Sequence, residues 1–297
     1  MIEVKKECKV AQETKGVMPS WLKRKIAFSG KHNSIRHNIH AKGLHTVCIE
    51  AKCPNRGECY SRGVATFLIM GNFCTRNCSF CSVFHGTPPK LDPFEPDHIV
   101  EAVAELKLRH VVLTSVTRDD LQDGGASVYA SIVQKLKAHL PDVTTELLIP
   151  DLKGDVTALD TIFSSKPNIL NHNVETVPQL YPVIRPQASF QRSLEVLSRA
   201  SNQGLTTKSG IMVGLGEKFE EVTQTMEALQ RNGCSILTIG QYLQPSPEQI
   251  KVAEFVHPEV FKKYSETAKE MGFREVFAGP YVRSSYRADE LCNKVIK

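Results

Sequence analysis

From residue 64 onward the chain alternates, six times over, between short apolar runs and longer segments with helical spacing. The runs cover 64–70, 110–115, 143–149, 168–174, 206–213 and 234–243. The segments after them cover 96–109, 125–139, 155–164, 190–203, 217–231 and 258–271. In the first of these, Ile99, Val100, Val103 and Leu106 recur at helical intervals behind Pro96. Strands that each return through a helix are parallel, with right-handed crossovers. The pattern predicts an α/β fold: a partial TIM-type (β/α)6 barrel with N- and C-terminal extensions. A chain of 297 residues buries about three quarters of its unfolded surface, enough for one such core. The expected division is an N-terminal extension over 1–60, a barrel over 61–272 and a C-terminal extension over 273–297. Functional side chains in barrels of this kind gather at the C-terminal ends of the strands.

Several function classes drop out early. No apolar run approaches the roughly 18 residues of a membrane span. The start, MIEVKKECKVAQETKG, lacks an apolar signal core, and Glu3, Glu7 and Glu13 argue against an acid-poor transit peptide. A solvated tail on a cytoplasmic protein is expected. The net charge of +5 is compatible with an acidic protein partner and does not call for nucleic acid. The basic stretch 21–25 and the histidines His32, His37, His40 and His45 read as surface. Gly214 and Gly216 lack the third glycine and the early position of a dinucleotide fingerprint, so they read as a turn into a helix.

Six of the nine cysteines fall in two triplets. Cys74, Cys78 and Cys81 are spaced C-x3-C-x2-C just past the first predicted strand, and Cys48, Cys53 and Cys59 are spaced C-x4-C-x5-C before it. A disulfide framework does not suit a reducing compartment. Structural zinc favours four ligands in closed pairs, whereas thiolates in threes suit an iron–sulfur cubane with one iron left open or bound by another group. A zinc-stabilised binding module is the alternative from another class. Cys8, Cys234 and Cys292 carry no assigned role; Cys234 reads as a small buried apolar residue.

The C-x3-C-x2-C spacing at this position, with Phe80 before the last cysteine, resembles the radical S-adenosylmethionine superfamily. The resemblance implies that Cys74, Cys78 and Cys81 hold the catalytic 4Fe–4S cluster, whose open iron chelates S-adenosyl-L-methionine for reductive cleavage. The candidates for contacting that cofactor lie at strand ends: Asp123, Gly124 and Gly125; Asn171, Asn173 and Glu175; and Lys208. Asp123 suits a helix cap equally well.

Further motifs narrow the resemblance to the lipoyl synthase family. They are CPNRGEC (53–59), ATFLIMG with CTRNCSFC (65–81), TSVTRDDLQDGGA (114–126), LNHNVETV (170–177), KSGIMVGLGE (208–217), TIGQYLQPS (238–246) and RSSY (283–286) followed by Arg287 and Ala288. Membership implies a second, auxiliary 4Fe–4S cluster on Cys48, Cys53, Cys59 and Ser285, with Ser284 the neighbouring candidate. It implies an activity too: insertion of two sulfur atoms into an octanoyl chain carried on a lipoyl carrier protein or domain. That carrier would be the glycine cleavage H protein or the acyltransferase component of a 2-oxoacid dehydrogenase, with flavodoxin or ferredoxin as electron donor. Other sulfur-inserting members fit less well. Biotin synthase lacks the CPNRGEC-type triplet, and methylthiotransferases carry extra domains for which this chain has no length.

Overall fold

The computed structural model describes residues 18–23, 37, 39, 42–51, 53–61, 64–288 and 290. The expected solvated tail over 1–16, Arg24, Lys25, His32, His40, Cys8 and Cys292 lie outside the described residues.

Before the barrel, β1 (His45–Thr46) leads into α1 (Val47–Glu50), and α2 (Arg56–Ser61) follows. The barrel opens with β2 (Thr66–Ile69), then a ribbon of β3 (Phe73–Cys74) and β4 (Phe84–His85), then α3 (Glu95–Glu105). The alternation continues through β5 (His110–Ser115), α4 (Ala126–His139), β6 (Thr144–Leu148), α5 (Val156–Ser164), β7 (Ile169–Asn171), α6 (Tyr181–Ile184) and α7 (Phe190–Asn202). It closes with β8 (Thr207–Val213), α8 (Phe219–Arg231), β9 (Ile236–Gln241), α9 (Pro258–Glu270) and β10 (Glu275–Gly279). One sheet runs in the order β1-β2-β5-β6-β7-β8-β9-β10. β1 is antiparallel to β2 and every other pairing in this sheet is parallel. This is the expected partial barrel.

The strands read as unbroken apolar runs because helices cover one face and the barrel interior the other. All four residues of β2 are buried. The first apolar core joins Phe67, Ile69 and Leu113 of the sheet to Ile99, Ile132 and Ile162 of the helices. A second joins Ile211, Val213 and Ile239 to Val222, Met226 and Phe261. Helix starts follow the sequence chemistry. Asp155 accepts the Ala158 N–H at 2.8 Å, and Ser189 accepts the Arg192 N–H at 3.3 Å.

Two elements differ from expectation. The strand expected over 168–174 is regular only to Asn171; beyond it the chain follows β8 irregularly and bridges Ile211 at Glu175. The seventh parallel strand, β10, was not expected: all five of its residues are half-buried, so it shows no apolar run. Among the described residues no helix is long and apolar enough to cross a membrane.

Candidate functional site

The second cysteine triplet stands where β2 ends. Met70 and Gly71 turn the chain with φ of +65° and +88°. The Glu95 carboxylate fixes that turn by accepting the Met70 N–H at 2.9 and 3.0 Å. The loop that follows is pinned on three sides. Thr75 donates its N–H and hydroxyl to the Thr117 carbonyl (3.0 and 2.9 Å), Ser79 donates its N–H to Ile184 (3.1 Å), and Ile250 donates to Ser79 (2.9 Å). Phe80 packs against Ile184, Leu215 and Tyr242. The Cys74 Sγ accepts two backbone N–H groups, from Arg76 at 3.4 Å and Thr117 at 3.3 Å. Burial pushes the Cys81 thiol up to about 12. Burial raises Cys78 as well, against the pull of the Arg185 guanidinium.

Arg185 is buried beside this triplet, and sequence reasoning missed it. Its Nη1 donates to the carbonyls of Asn173 (3.0 Å) and Val174 (3.1 Å) and to the Tyr181 hydroxyl (3.1 Å). Its Nε has no partner among the described residues. It ends the short α6 inside a proline-interrupted stretch without periodicity; a cation directly after the apolar YPVI was the only available signal. Burial raises the Glu175 carboxyl, and Arg185 opposes the shift.

The first triplet is built on three consecutive pieces. Cys48 lies in α1, Cys53 in the turn after it and Cys59 in α2. Cys53 donates its N–H to the Cys48 carbonyl at 3.3 Å, and Cys59 to Asn55 at 2.9 Å, so the loop folds back on itself. All three cysteines line one small cavity. Asn55, Val64, Thr66, Arg283, Tyr286 and Ser285 complete its wall. Burial raises the Cys48 thiol, and Cys53 adds to the shift.

Ser284 and Ser285 therefore part company. Ser285 faces the cysteine cavity. Ser284 accepts from Asn171 Nδ2 at 2.6 Å and donates to Asn173 Oδ1 at 3.0 Å. Asn171 Nδ2 also donates to Glu146 Oε1 (2.8 Å), which holds Lys208 Nζ at 2.9 Å. Asn173 Nδ2 donates to Glu175 Oε1 (3.1 Å). Four of the seven strand-end candidates thus join one polar chain, Lys208–Glu146–Asn171–Ser284–Asn173–Glu175. It passes through Ser284, the neighbour of Ser285, and ends at Glu175, whose charge adds to the burial that raises the Cys78 and Cys81 thiols. No cysteine of the second triplet lines the first triplet's cavity. The bond from the Ser82 hydroxyl to the Glu50 carbonyl at 2.8 Å joins the two cysteine loops directly.

The other three candidates shape the loop before α4. Asp123 caps that helix, accepting from the N–H groups of Gly125 (2.9 Å) and Ser127 (2.8 Å). Gly125 sits at φ +90°, and a side chain there would overlap the Met70 sulfur. Asp123 and Gly124 line a separate cavity with Asp119, Gln122 and Lys153. Gly214 and Gly216 form the expected turn, where Glu217 accepts from Gly214 (2.5 Å) and Leu215 (2.9 Å). Cys234 is buried, as expected, and His37 and His85 are exposed. His45 is half-buried against Glu50, at 3.1 Å.

The donor sets fit two cubanes. Three thiols and one hydroxyl around a single cavity match four irons, and three thiols beside a buried cation match a cluster with one open iron. Among the described residues no three Cys, His, Asp or Glu side chains close on a single point, as the ligands of one zinc ion do.

The Radical SAM superfamily model matches residues 68–229, and the model for the N-terminal domain of lipoyl synthase of the Radical SAM family matches residues 1–53. A lipoyl synthase of Chlorobium chlorochromatii is 49% identical over 282 residues, 94% of this chain and 96% of that protein. One of Caldanaerobacter subterraneus is 52% identical over 91% of this chain and 95% of its own length. Among solved structures, methylornithine synthase superposes with a TM-score of 0.54 at 16% identity, covering 71% of this chain and 69% of that one. The hydrogenase maturase HydG of Carboxydothermus hydrogenoformans gives 0.54 at 17% identity, over 76% and 64%. At such identity these two speak for the fold alone.

Proposed function

Because this chain belongs to the lipoyl synthase family of the radical S-adenosylmethionine superfamily, we propose that its two cysteine triplets hold two 4Fe–4S clusters with separate tasks. The chain is a sulfur-inserting enzyme that adds two sulfur atoms, at carbon 6 and carbon 8, to a protein-bound octanoyl chain. When bound, S-adenosylmethionine and the cluster on Cys74, Cys78 and Cys81 supply a 5′-deoxyadenosyl radical, and the auxiliary cluster on Cys48, Cys53, Cys59 and Ser285 supplies sulfide. The observation that carries this assignment is the cavity in which Ser285 meets the first triplet.

The chain's own residues bind and orient. The N–H groups of Arg76 and Thr117 stabilise negative charge on the Cys74 sulfur. Arg185, a buried cation beside Cys78, favours anionic sulfur and an anionic carboxylate in the same place. Glu175, Asn173 and Asn171 present hydrogen-bonding groups to the cofactor's polar end, and Lys208 keeps Glu146 charged beneath them. Asp123, Gly124 and Gly125 act on the cofactor by shaping the loop after β5. The described residues 42–51 and 53–60 before the barrel, and 280–288 after its last strand, close over its mouth. An octanoylated carrier is the macromolecular substrate. Glycine cleavage H protein and the acyltransferase component of 2-oxoacid dehydrogenases are the proposed carriers, flavodoxin or ferredoxin the proposed reductant, and the cytoplasm the proposed compartment.

Anaerobic reconstitution followed by metal analysis and mass spectrometry tests the assignment. About eight irons and eight sulfides per chain are expected, as two cubanes demand. Cys78→Ala abolishes S-adenosylmethionine cleavage. Cys53→Ala keeps cleavage and loses sulfur insertion into an octanoylated peptide. A Cys53→Ala variant that still makes the lipoyl product, or zinc without sulfide, overturns it.

A further inference from the structure

Two tethers join the first cysteine loop to the C-terminal segment, one on each side of Ser285: Asn55 holds Tyr281, and Glu58 holds both Tyr286 and, at 3.5 Å, Arg287. Asn55, only 2% exposed, donates its side-chain amide to the Tyr281 carbonyl at 2.6 Å. The Tyr286 hydroxyl donates to Glu58 Oε1 at 2.8 Å, and the Arg287 guanidinium lies over the Tyr286 ring at 5.3 Å. Asn55 and Glu58 are the residues inside CPNRGEC that make these bonds, in the span between Cys53 and Cys59. None of these bonds involves the Ser285 side chain.

A serine oxygen is a harder ligand than thiolate, which sets it apart from the three sulfur donors. If its bond to iron were the segment's only tether, departure would release the whole segment. The two flanking tethers, together with the bonds of the neighbouring Ser284 to Asn171 and Asn173, keep the hydroxyl at high effective concentration after the bond breaks. Resting on the reading that Ser285 is the fourth donor, we propose that Glu58 and Asn55 are positioning residues. They clamp the C-terminal segment over the first triplet, so that the Ser285 hydroxyl leaves and returns while the backbone stays.

The test uses the full-length chain with Cys74, Cys78 and Cys81 each replaced by alanine, so that all bound iron belongs to the first triplet. After anaerobic reconstitution and mild oxidation, electron paramagnetic resonance measures the ratio of three-iron to four-iron cluster. Ser285→Ala raises this ratio strongly. Tyr286→Phe raises it about five-fold, the worth of one net hydrogen bond, and Glu58→Ala raises it at least as far, because it also removes the Arg287 contact. The double variant goes no further than Glu58→Ala alone, because that change already removes the Tyr286 bond. Parent-like ratios in both single variants, or additive effects in the double, overturn the clamp while leaving Ser285 as ligand. A parent-like ratio in Ser285→Ala overturns the ligand reading and the clamp with it. Loss of all four irons together with a lowered urea midpoint means general unfolding and also overturns the clamp.

Discussion

Lys208 and Glu146 are both fully buried, and neither charge is stabilised by water. Burial works to raise the Glu146 carboxyl, but Lys208 and His110 hold it down at about 2. Removing one partner of such a pair strands the other. Lys208→Met therefore destabilises the fold by about 3–5 kcal/mol in urea titration, and combining it with Glu146→Leu recovers much of the loss. A single variant as stable as the parent would show that the pair contributes nothing. The adjacent serines separate by the same logic. Ser284→Ala strips partners from Asn171 and Asn173 and costs about 1–3 kcal/mol of stability, while the first cluster keeps its four irons. Ser285→Ala leaves stability nearly unchanged and favours the three-iron form. If the two phenotypes were exchanged, the assignment of donor to Ser285 would be wrong.

Among the elements, the contact between β9 and the C-terminal segment decides whether the first site is complete. Gly240 lies in β9, and the Val282 carbonyl occupies the space its side chain would fill. Gly240→Ala pushes the segment away and carries Ser285 off the cysteine cavity. The expected result is an intact barrel by circular dichroism, faster proteolysis after 279, and a first cluster that fails to keep its fourth iron. Unchanged proteolysis would mean the segment tolerates the added methyl. This contact was not legible in the sequence, because it joins a strand glycine to a segment 42 positions later (282 − 240) chiefly through the Val282 backbone. The six strands β2 and β5 to β9 were legible, since burial on both faces writes itself as apolar runs. β10 was hidden because half-burial at every position leaves no period. Lys208 was legible as a charged residue of the fifth expected strand and a candidate contact for the cofactor. Its partner Glu146 could have been found the same way, as the one carboxylate in TTELL of β6. The choice between Ser284 and Ser285 needed coordinates, because neighbouring residues point to different surroundings and the motif names both.

Across the whole molecule, acid stability depends on groups that join sheet to helices. His172 receives nothing from solvent: Nδ1 meets the Ile149 carbonyl at 2.8 Å past the end of β6, and Nε2 meets the Ser193 hydroxyl of α7 at 3.0 Å. Burial, with Arg185 and Arg76 adding to it, lowers the ring from 6.5 to about 4, while the Ile149 carbonyl and Asp151 oppose the shift. The unfolded chain therefore binds a proton that the folded chain refuses between those two values. Stability is fully present above about pH 6.5 and falls as pH drops toward 4, by at most about 3 kcal/mol. Glu146 and Asp151, both held at about 2, act in the same direction at lower pH, where the unfolded carboxylates protonate first. The loss thus begins with the histidine and continues with the carboxylates. His172→Gln separates the two stages: Gln titrates nowhere in this range, so the variant lacks the histidine's share of the decline between about pH 8 and 5, while the raised carboxyls of Glu95, Glu175 and Glu217 act alike in variant and parent. Comparing variant and parent at each pH cancels any loss of clusters common to both. Parallel declines would move the first acid step away from His172 and onto the carboxylates.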